Sequence, residues 1–190
     1  MMTRILNTLV FYWVNYICPS HERKRRFLIK QGARIGKGTR FNCTTNAFGS
    51  EPYLITVGED CLFAANTCFV THDGGIKVLN SLHKYRQGDI YLRMDKIAPI
   101  KLGNNVYTGM HAMIMPGVTV GNNVIIGACS VVTHDVPSNC IVAGVPARII
   151  CSLDEYYARS INKVEPTPTL TYSQKKEYYL KKFKIDTSKV

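Results

Sequence analysis

The chain has 190 residues, 46% of them hydrophobic and 19% charged, enough for one sizeable core and too few for two ordinary enzyme domains. Twenty-four Lys and Arg against 13 Asp and Glu leave a net charge of +11, which by itself suggests nucleic acid, anionic lipid or a phosphorylated small molecule as partner. Seven cysteines, at 18, 43, 61, 68, 129, 140 and 151, form an odd set without a Cys-x-x-Cys pair, which argues against a disulfide framework or structural zinc and for reduced thiols in a cytoplasmic protein.

Charge is concentrated in the flanks: residues 1–34 carry seven basic side chains and one acid, 35–150 carry nine and seven, and 151–190 carry eight and five. The first predicted segment, residues 1–32, is helical. Its apolar stretch from Ile5 to Ile17 covers about 13 residues and is broken by Asn7 and Asn15, short of the ~20 needed to cross a bilayer. Cys18-Pro19-Ser20-His21 and a basic cluster follow instead of a small-x-small cleavage site, so the stretch is not read as a signal peptide. Leu6, Leu9, Val10 and Trp13 follow helical spacing, with Tyr12 and Tyr16 placed for an interface. Docking onto the domain and lying on a membrane surface would both use these residues. Arg23-Lys24-Arg25-Arg26 then reads either as a solvated basic face or as a contact for anionic headgroups.

Residues 33–152 form the predicted domain, and its period is six. Weak copies come first: Ile35-Gly36 with Thr39, Phe41 with Thr45, Val57-Gly58 with Cys61, Phe63-Ala64 with Thr67, and Phe69-Val70 with Asp73. Residues 46–56 and 73–99 interrupt the count, the second being polar and basic through His83, Lys84, Arg86, Arg93 and Lys96. An insertion of that length in a compact repeat is usually functional or disordered, and the functional reading is favoured here. From Leu102 the period is strict: Leu102, Thr108, Ile114, Val120, Ile126 and Val132, with Val106, Ala112, Val118, Val124, Ser130 and Val136 four positions later in each step. Neither the 3.6 period of a helix nor the 2 of a long strand fits. Short strands joined by tight Gly and Asn turns do. Three such faces close one prism-shaped turn, and turns stack by parallel pairing at ~4.8 Å. The fold class is therefore an all-β solenoid, a parallel β-helix. Residues 153–190 follow as a C-terminal helix and basic tail, with Pro166-Thr167-Pro168 as a linker signal.

The hexads, His72, the run from Met115 to Gly121, the run from Ser130 to Pro137 and Ala143-Gly144-Val145-Pro146-Ala147-Arg148 together resemble the left-handed β-helix hexapeptide-repeat acyltransferases, in the branch of maltose, galactoside and surface-polysaccharide O-acetyltransferases. That resemblance implies a left-handed coil, a homotrimer with active sites between neighbouring prisms, and acetyl-coenzyme A in the groove between subunits. It places the general base at His72. A hydroxyl is a poor nucleophile at neutral pH, and an imidazole with a reference pKa near ~6.5 can take its proton as attack on the thioester begins. The tetrahedral oxyanion calls for backbone N–H donors, and the coenzyme leaves as a thiol, so no acyl-enzyme is required. Asn42 and Asp73 are the acceptor-side candidates, Asp73 also serving either to orient His72 or as a turn residue before Gly74-Gly75. For the cofactor, the resemblance implies Tyr107, Gly109 and Ala128 along the pantetheine track, with Thr133, His134 and Arg148 nearer the nucleotide. Ala128 also reads as a plain corner residue and Thr133 as a turn cap. Tyr107 stands where many relatives hold tryptophan, and His134 where lysine is usual.

The acceptor expected is a sugar hydroxyl of a surface polysaccharide or its precursor, with an amino sugar or an antibiotic as the alternative. Zinc-dependent carbonic anhydrases share the architecture and need three converging histidines. His72, His83 and His111 are the candidates, but the family's histidine pair five residues apart is absent, so no metal is expected. Tyr178-Tyr179 among Lys175, Lys176, Lys181 and Lys182 superficially suits single-strand binding, yet reads better as a terminal helix, so no nucleic acid is expected.

Overall fold

The computed structural model describes residues 8–17, 19–82 and 96–186. Two compact units emerge, Met1–Asp154 and Glu155–Val190.

In the first unit, three parallel sheets run side by side. β1 (Arg34–Ile35), β3 (Ile55–Val57), β8 (Ile100–Leu102) and β11 (Thr119–Val120) make one. β5 (Cys68–Phe69), β10 (Met113–Ile114) and β13 (Val131–Val132) make the second. The third holds β2 (Arg40–Phe41), β4 (Leu62–Phe63), β9 (Val106–Thr108), β12 (Val124–Ile126) and β14 (Cys140–Gly144), closed by antiparallel β15 (Ala147–Ser152). Register stacks like on like: Ile35, Val57, Leu102 and Val120 on one face, Phe69, Ile114 and Val132 on the next, Phe41, Phe63, Thr108, Ile126 and Val142 on the third. Both six-residue series, the one from Leu102 to Val132 and the one from Val106 to Val136, point into the prism. The two polar members are satisfied inside: the Thr108 hydroxyl bonds that of Thr67 at 2.7 Å, and Ser130 Oγ accepts from Gly144 N. Each large aliphatic side chain so buried contributes roughly 1.5 to 3 kcal/mol.

The two Gly-Asn-Asn copies build one corner. Asn104 and Asn122 lie 18 residues apart, and Asn122 Oδ1 accepts from Asn104 N at 2.8 Å while Ser138 Oγ accepts from Asn122 N. Next to them Asn105, Asn123 and Asn139 adopt positive φ (55°, 55° and 62°), and their amides chain from coil to coil at 2.9 Å. Asparagine tolerates this left-handed conformation and can bond along the stack. The preceding Gly36, Gly58, Gly103 and Gly121 form a column in which a Cβ on Gly36 would stand 2.5 Å from Gly58 C.

A coil that starts abruptly leaves strand edges and an apolar end exposed. Here α1 (residues 8–17, π-helical over Trp13–Ile17) and α2 (His21–Lys30) cover them. Leu28 is fully buried. Lys24 is buried too, its Nζ donating to Cys43 O at 2.7 Å and Phe41 O at 3.3 Å, and Arg25 Nε donates to Ile35 O and Gly36 O. Desolvation lowers the Lys24 pKa, and burial pushes the neighbouring Cys43 thiol up to about 11. The basic cluster is thus divided: Lys24 and Arg25 cap backbone carbonyls, while Arg23 and Arg26 face outward. Asn15, buried on the inner side of α1, donates to Thr45 Oγ1 at 2.9 Å and accepts from Thr45 N at 2.8 Å.

The first insertion is packed into the prism. Two 3-10 turns, Thr45–Phe48 and Pro52–Leu54, bring Phe48 to full burial against Phe69 (ring centroids 4.7 Å), Phe41 and Phe63. The second leaves the coil at Thr71 and returns at Ala98, whose N–H donates to Thr71 O at 2.9 Å. Its root is an antiparallel pair, β6 (His72–Asp73) with β7 (Lys96–Ile97), followed after β6 by α3 (Ile76–Ser81). Asp73, four residues after Phe69 and so an inward position by count, therefore lies outside the prism: the chain has already turned away. His83, Lys84, Arg86 and Arg93 lie outside the described residues. Among the described residues no helix is long and apolar enough to cross a membrane.

In the second unit, which begins within α4 (Leu153–Ser160), α5 (Tyr172–Lys182) opens with a capping box between Thr171 and Gln174. Tyr178 and Lys182 both bond Glu165, Thr167 meets the Tyr179 hydroxyl, and Tyr179 stacks on Phe183.

Candidate active site

β5 ends at Phe69, whose ring is buried, and two residues later the chain swings outward. Thr71 is still inside the protein; His72, the first residue of β6, is outside it, its side chain 51% exposed. The opposing first insertion sets Glu51 beside both. Pro52, buried directly after it, and Phe48, buried three residues before it, anchor that segment. Glu51 Oε2 accepts the Thr71 hydroxyl at 2.6 Å and lies 2.9 Å from His72 Nδ1. The hydrogen bonds from Thr71 and then His72 hold the Glu51 carboxyl below the usual carboxylate range, so it is ionised near neutrality. An ionised carboxylate only accepts, which places the ring proton on Nδ1 and leaves the Nε2 lone pair free to act as base.

Glu51 was not among the residues singled out from sequence. Gly49-Ser50-Glu51-Pro52 lies in the shorter break of the period, and nothing in its composition distinguishes it from an ordinary turn. Asp73, the carboxylate considered for orienting His72, is engaged elsewhere: Oδ1 accepts from Gly75 N at 2.9 Å and Oδ2 faces Lys96 Nζ at 3.5 Å, both of which lower its pKa. It forms the turn before Gly74-Gly75. Asn42 is exposed just beyond β2, with its backbone N–H on Phe63 O. It leaves the third sheet, whereas His72 follows the second.

The cofactor candidates lie higher on the coil. Tyr107, on β9, points outward between Leu62 and Ile125. Gly109 and Ala128 meet at one corner, where a Cβ on Gly109 would stand 2.4 Å from Ala128 N. Only glycine permits that approach. Thr133 Oγ1 bonds His134 Nδ1 at 2.8 Å. His134 and Arg148, separated in sequence by the β14 strand, line one cavity of about 440 Å³ together with Val132, Val142 and Ala147. Asp135, also in its wall, accepts from Thr119 N at 2.7 Å, and Arg148 Nη1 donates to Ala147 O at 2.9 Å. His111, at positive φ, faces Asn66, and His83 lies outside the described residues. Among the described residues no three His, Cys, Asp or Glu side chains are grouped to hold a metal ion.

Residues 99–134 match the family model for bacterial transferase hexapeptide, six repeats. Protein CapG of Staphylococcus aureus is 42% identical over 156 residues, covering 82% of this chain and 86% of that protein. Galactoside O-acetyltransferase of Escherichia coli (strain K12) is 34% identical over 205 residues, covering 97% of this chain and 87% of that enzyme. The chain belongs to the hexapeptide-repeat acetyltransferases. The fold of this acetyltransferase matches the hexapeptide-repeat acetyltransferase from Vibrio cholerae O1 biovar eltor, solved with acetyl-coenzyme A, at a TM-score of 0.56 and 24% identity, covering 80% of this chain and 87% of that one. Acyl transfer to a hydroxyl requires a base, and an imidazole held at Nδ1 by a carboxylate is a group of the right chemistry for one.

Proposed function

We propose that this acetyltransferase moves the acetyl group of acetyl-coenzyme A directly to a sugar hydroxyl of a surface polysaccharide or its precursor, with His72 as general base. The observation that carries the reading is the Glu51–His72 pair: a half-exposed ring held at Nδ1 by a carboxylate at 2.9 Å, which leaves Nε2 as the basic nitrogen. The sugar class rests on the likeness to the galactoside enzyme over nearly the whole chain, and the polysaccharide class on Thr71-His72-Asp73-Gly74-Gly75 followed by the long second insertion, as the family resemblance implies. The coil is left-handed and the assembly a cytoplasmic homotrimer in the same reading. A neighbouring prism set against the exposed side of His72 supplies the second wall of the cleft, and Asn42, on another sheet, faces an acceptor across it.

In the reaction, His72 Nε2 takes the acceptor's hydroxyl proton as that oxygen bonds the acyl carbon. Glu51 stabilises the imidazolium that forms. His72 then returns the proton to the departing sulfur as the C–S bond breaks, so the base is restored and free thiol is released. The family resemblance puts the extended arm along Tyr107, Gly109 and Ala128, while Arg148, with His134, meets phosphate in the cavity above.

The test is thiol release from acetyl-coenzyme A across a panel of sugars and sugar polymers, with His72→Ala alongside. The substitution should lower turnover about 10²- to 10⁴-fold and leave the donor's KM unchanged. An undiminished rate removes His72 from the role; a panel in which only amines are acetylated removes the sugar hydroxyl.

A further inference from the structure

One surface has no part in the acyl-transfer site. Helix α1 docks through one side only: Val14 and Asn15 are buried, and the Phe11 ring lies tilted beside Phe27 of α2 at 6.4 Å between centroids. Its opposite side carries Leu9, Val10, Tyr12, Trp13, Tyr16 and Ile17, all exposed, Trp13 at 50% and Ile17 at 67%. Six large apolar or aromatic side chains on one ten-residue helix are a concentrated patch, where scattered single exposures are ordinary. Its make-up is specific: two tyrosines and the chain's single tryptophan beside aliphatic residues, the mixture that settles at a lipid–water boundary.

The charge beside it is mostly positive. Arg23, Phe27 and Lys30 are three or four residues apart on α2 and so share the row that faces α1. Arg23, Arg26 and Lys30 are exposed. Glu22 is the only acid in residues 1–34, and it pairs with Arg26 at 2.8 Å and Arg25 at 3.5 Å. A second copy brought against this face would set two such cationic rows side by side, which costs affinity. An anionic surface matches it.

We propose that the outer face of α1, with the basic row of α2, is a docking surface for anionic lipid bilayers. The helix lies in the interface with Trp13, Tyr16, Tyr12 and Ile17 at headgroup and upper acyl depth, and Lys30, with Arg26 beside it, reaches lipid phosphate. It does not span. The surface works independently of His72 and would hold the enzyme against any membrane-borne acceptor.

Trp13 reports on its own environment because no other tryptophan is present. The full chain is mixed with vesicles of phosphatidylcholine alone or doped with phosphatidylglycerol, and tryptophan emission and co-flotation are followed together. The expected result is a blue shift and flotation with the doped vesicles, reversed by salt. Tyr16→Ser with Ile17→Ser, both exposed and keeping the reporter, should weaken partition at least about tenfold, and Lys30→Gln about fivefold. Thiol release with soluble acceptors should be unchanged in all of them, which separates this proposal from the one on function. An emission maximum unmoved by doped vesicles overturns it. So does a Trp13 already shielded in free protein and exposed by Tyr16→Ser with Ile17→Ser, since a second copy would then occupy the face. Retention on nucleic acid with no response to vesicles overturns it equally.

Discussion

Replacing Glu51 by Gln tests how much of the strength of the proposed base, His72, is electrostatic. Glutamine keeps the shape and an oxygen able to accept from Thr71 and from Nδ1–H, and removes only the charge. Two unit charges about 4 Å apart interact by about 1 kcal/mol in water and about 4 kcal/mol at an effective dielectric of about 20. Glu51 is 16% exposed but His72 51%, so solvent screens the pair and the lower part of that range applies, about 1 to 2 kcal/mol. That energy is gained chiefly when the imidazolium forms, and so belongs to the transition state. Turnover should fall about five- to thirtyfold with the donor's KM unchanged and only a small drop in melting temperature, the part the ionised carboxylate contributes to stability. Glu51→Leu should cost more, because Thr71 and Nδ1–H then both lack an acceptor. Steady-state kinetics beside thermal unfolding give the answer. A Gln variant within about twofold of the parent, or one whose loss of rate merely tracks a loss of stability, would refute the reasoning.

Lys24→Met keeps the apolar stem and removes the ammonium that donates to Cys43 O and Phe41 O. Stability should fall by about 2 to 4 kcal/mol, since two buried carbonyls lose charged donors, less the relief of burying the charge; denaturant unfolding measures it. Phe48→Ala should cost about 3 to 5 kcal/mol and also lower turnover, because the segment carrying Glu51 loses its anchor. Arg148→Ala should raise the KM for acetyl-coenzyme A with little change in kcat, while the KM for the acceptor stays put. The Glu51 carboxyl titrates lower in the folded protein than in the unfolded chain, so its contribution to stability is full above the unfolded value near ~4.3 and is lost as pH falls through the folded one. Between about pH 5 and pH 3 the parent's melting temperature should therefore drop further than that of Glu51→Gln.

The repeat was legible because it is enforced by a physical constraint that acts at every turn. A position facing the axis of a narrow prism has to be apolar or internally bonded, and Leu102, Ile114, Val120, Ile126 and Val132 record that constraint residue by residue. The corners are equally local: positive φ selects Asn105, Asn123 and Asn139 whatever surrounds them. Capping by α2 was invisible for the opposite reason. Lys24 and Arg26 are two basic residues in one run, and only the crossing of the helix over the first coil decides that one bonds Phe41 O and Cys43 O while the other faces solvent. Spacing within a helix does not reveal which carbonyls on a distant strand are unpaired.

The same distinction runs through the candidate site. A regular coil turns identical faces outward at each level and has no place where three unlike groups converge; chemistry needs a break in the period. Both breaks end at the same point. The first replaces a strand of the opening coil with Phe48 and two 3-10 turns, bringing Glu51 to the rim, and the second departs at Thr71, taking His72 out of the prism on β6. His72 was legible because it sits at a visible edge, the last residue before the hexads stop. Glu51 was not, since its partner is 21 residues further on, across a fold that has to form before the two meet. Function here depends on two irregular segments being held in register by a regular one. Stiffening or shortening either insertion should therefore harm turnover more than an equal change to a coil of the repeat.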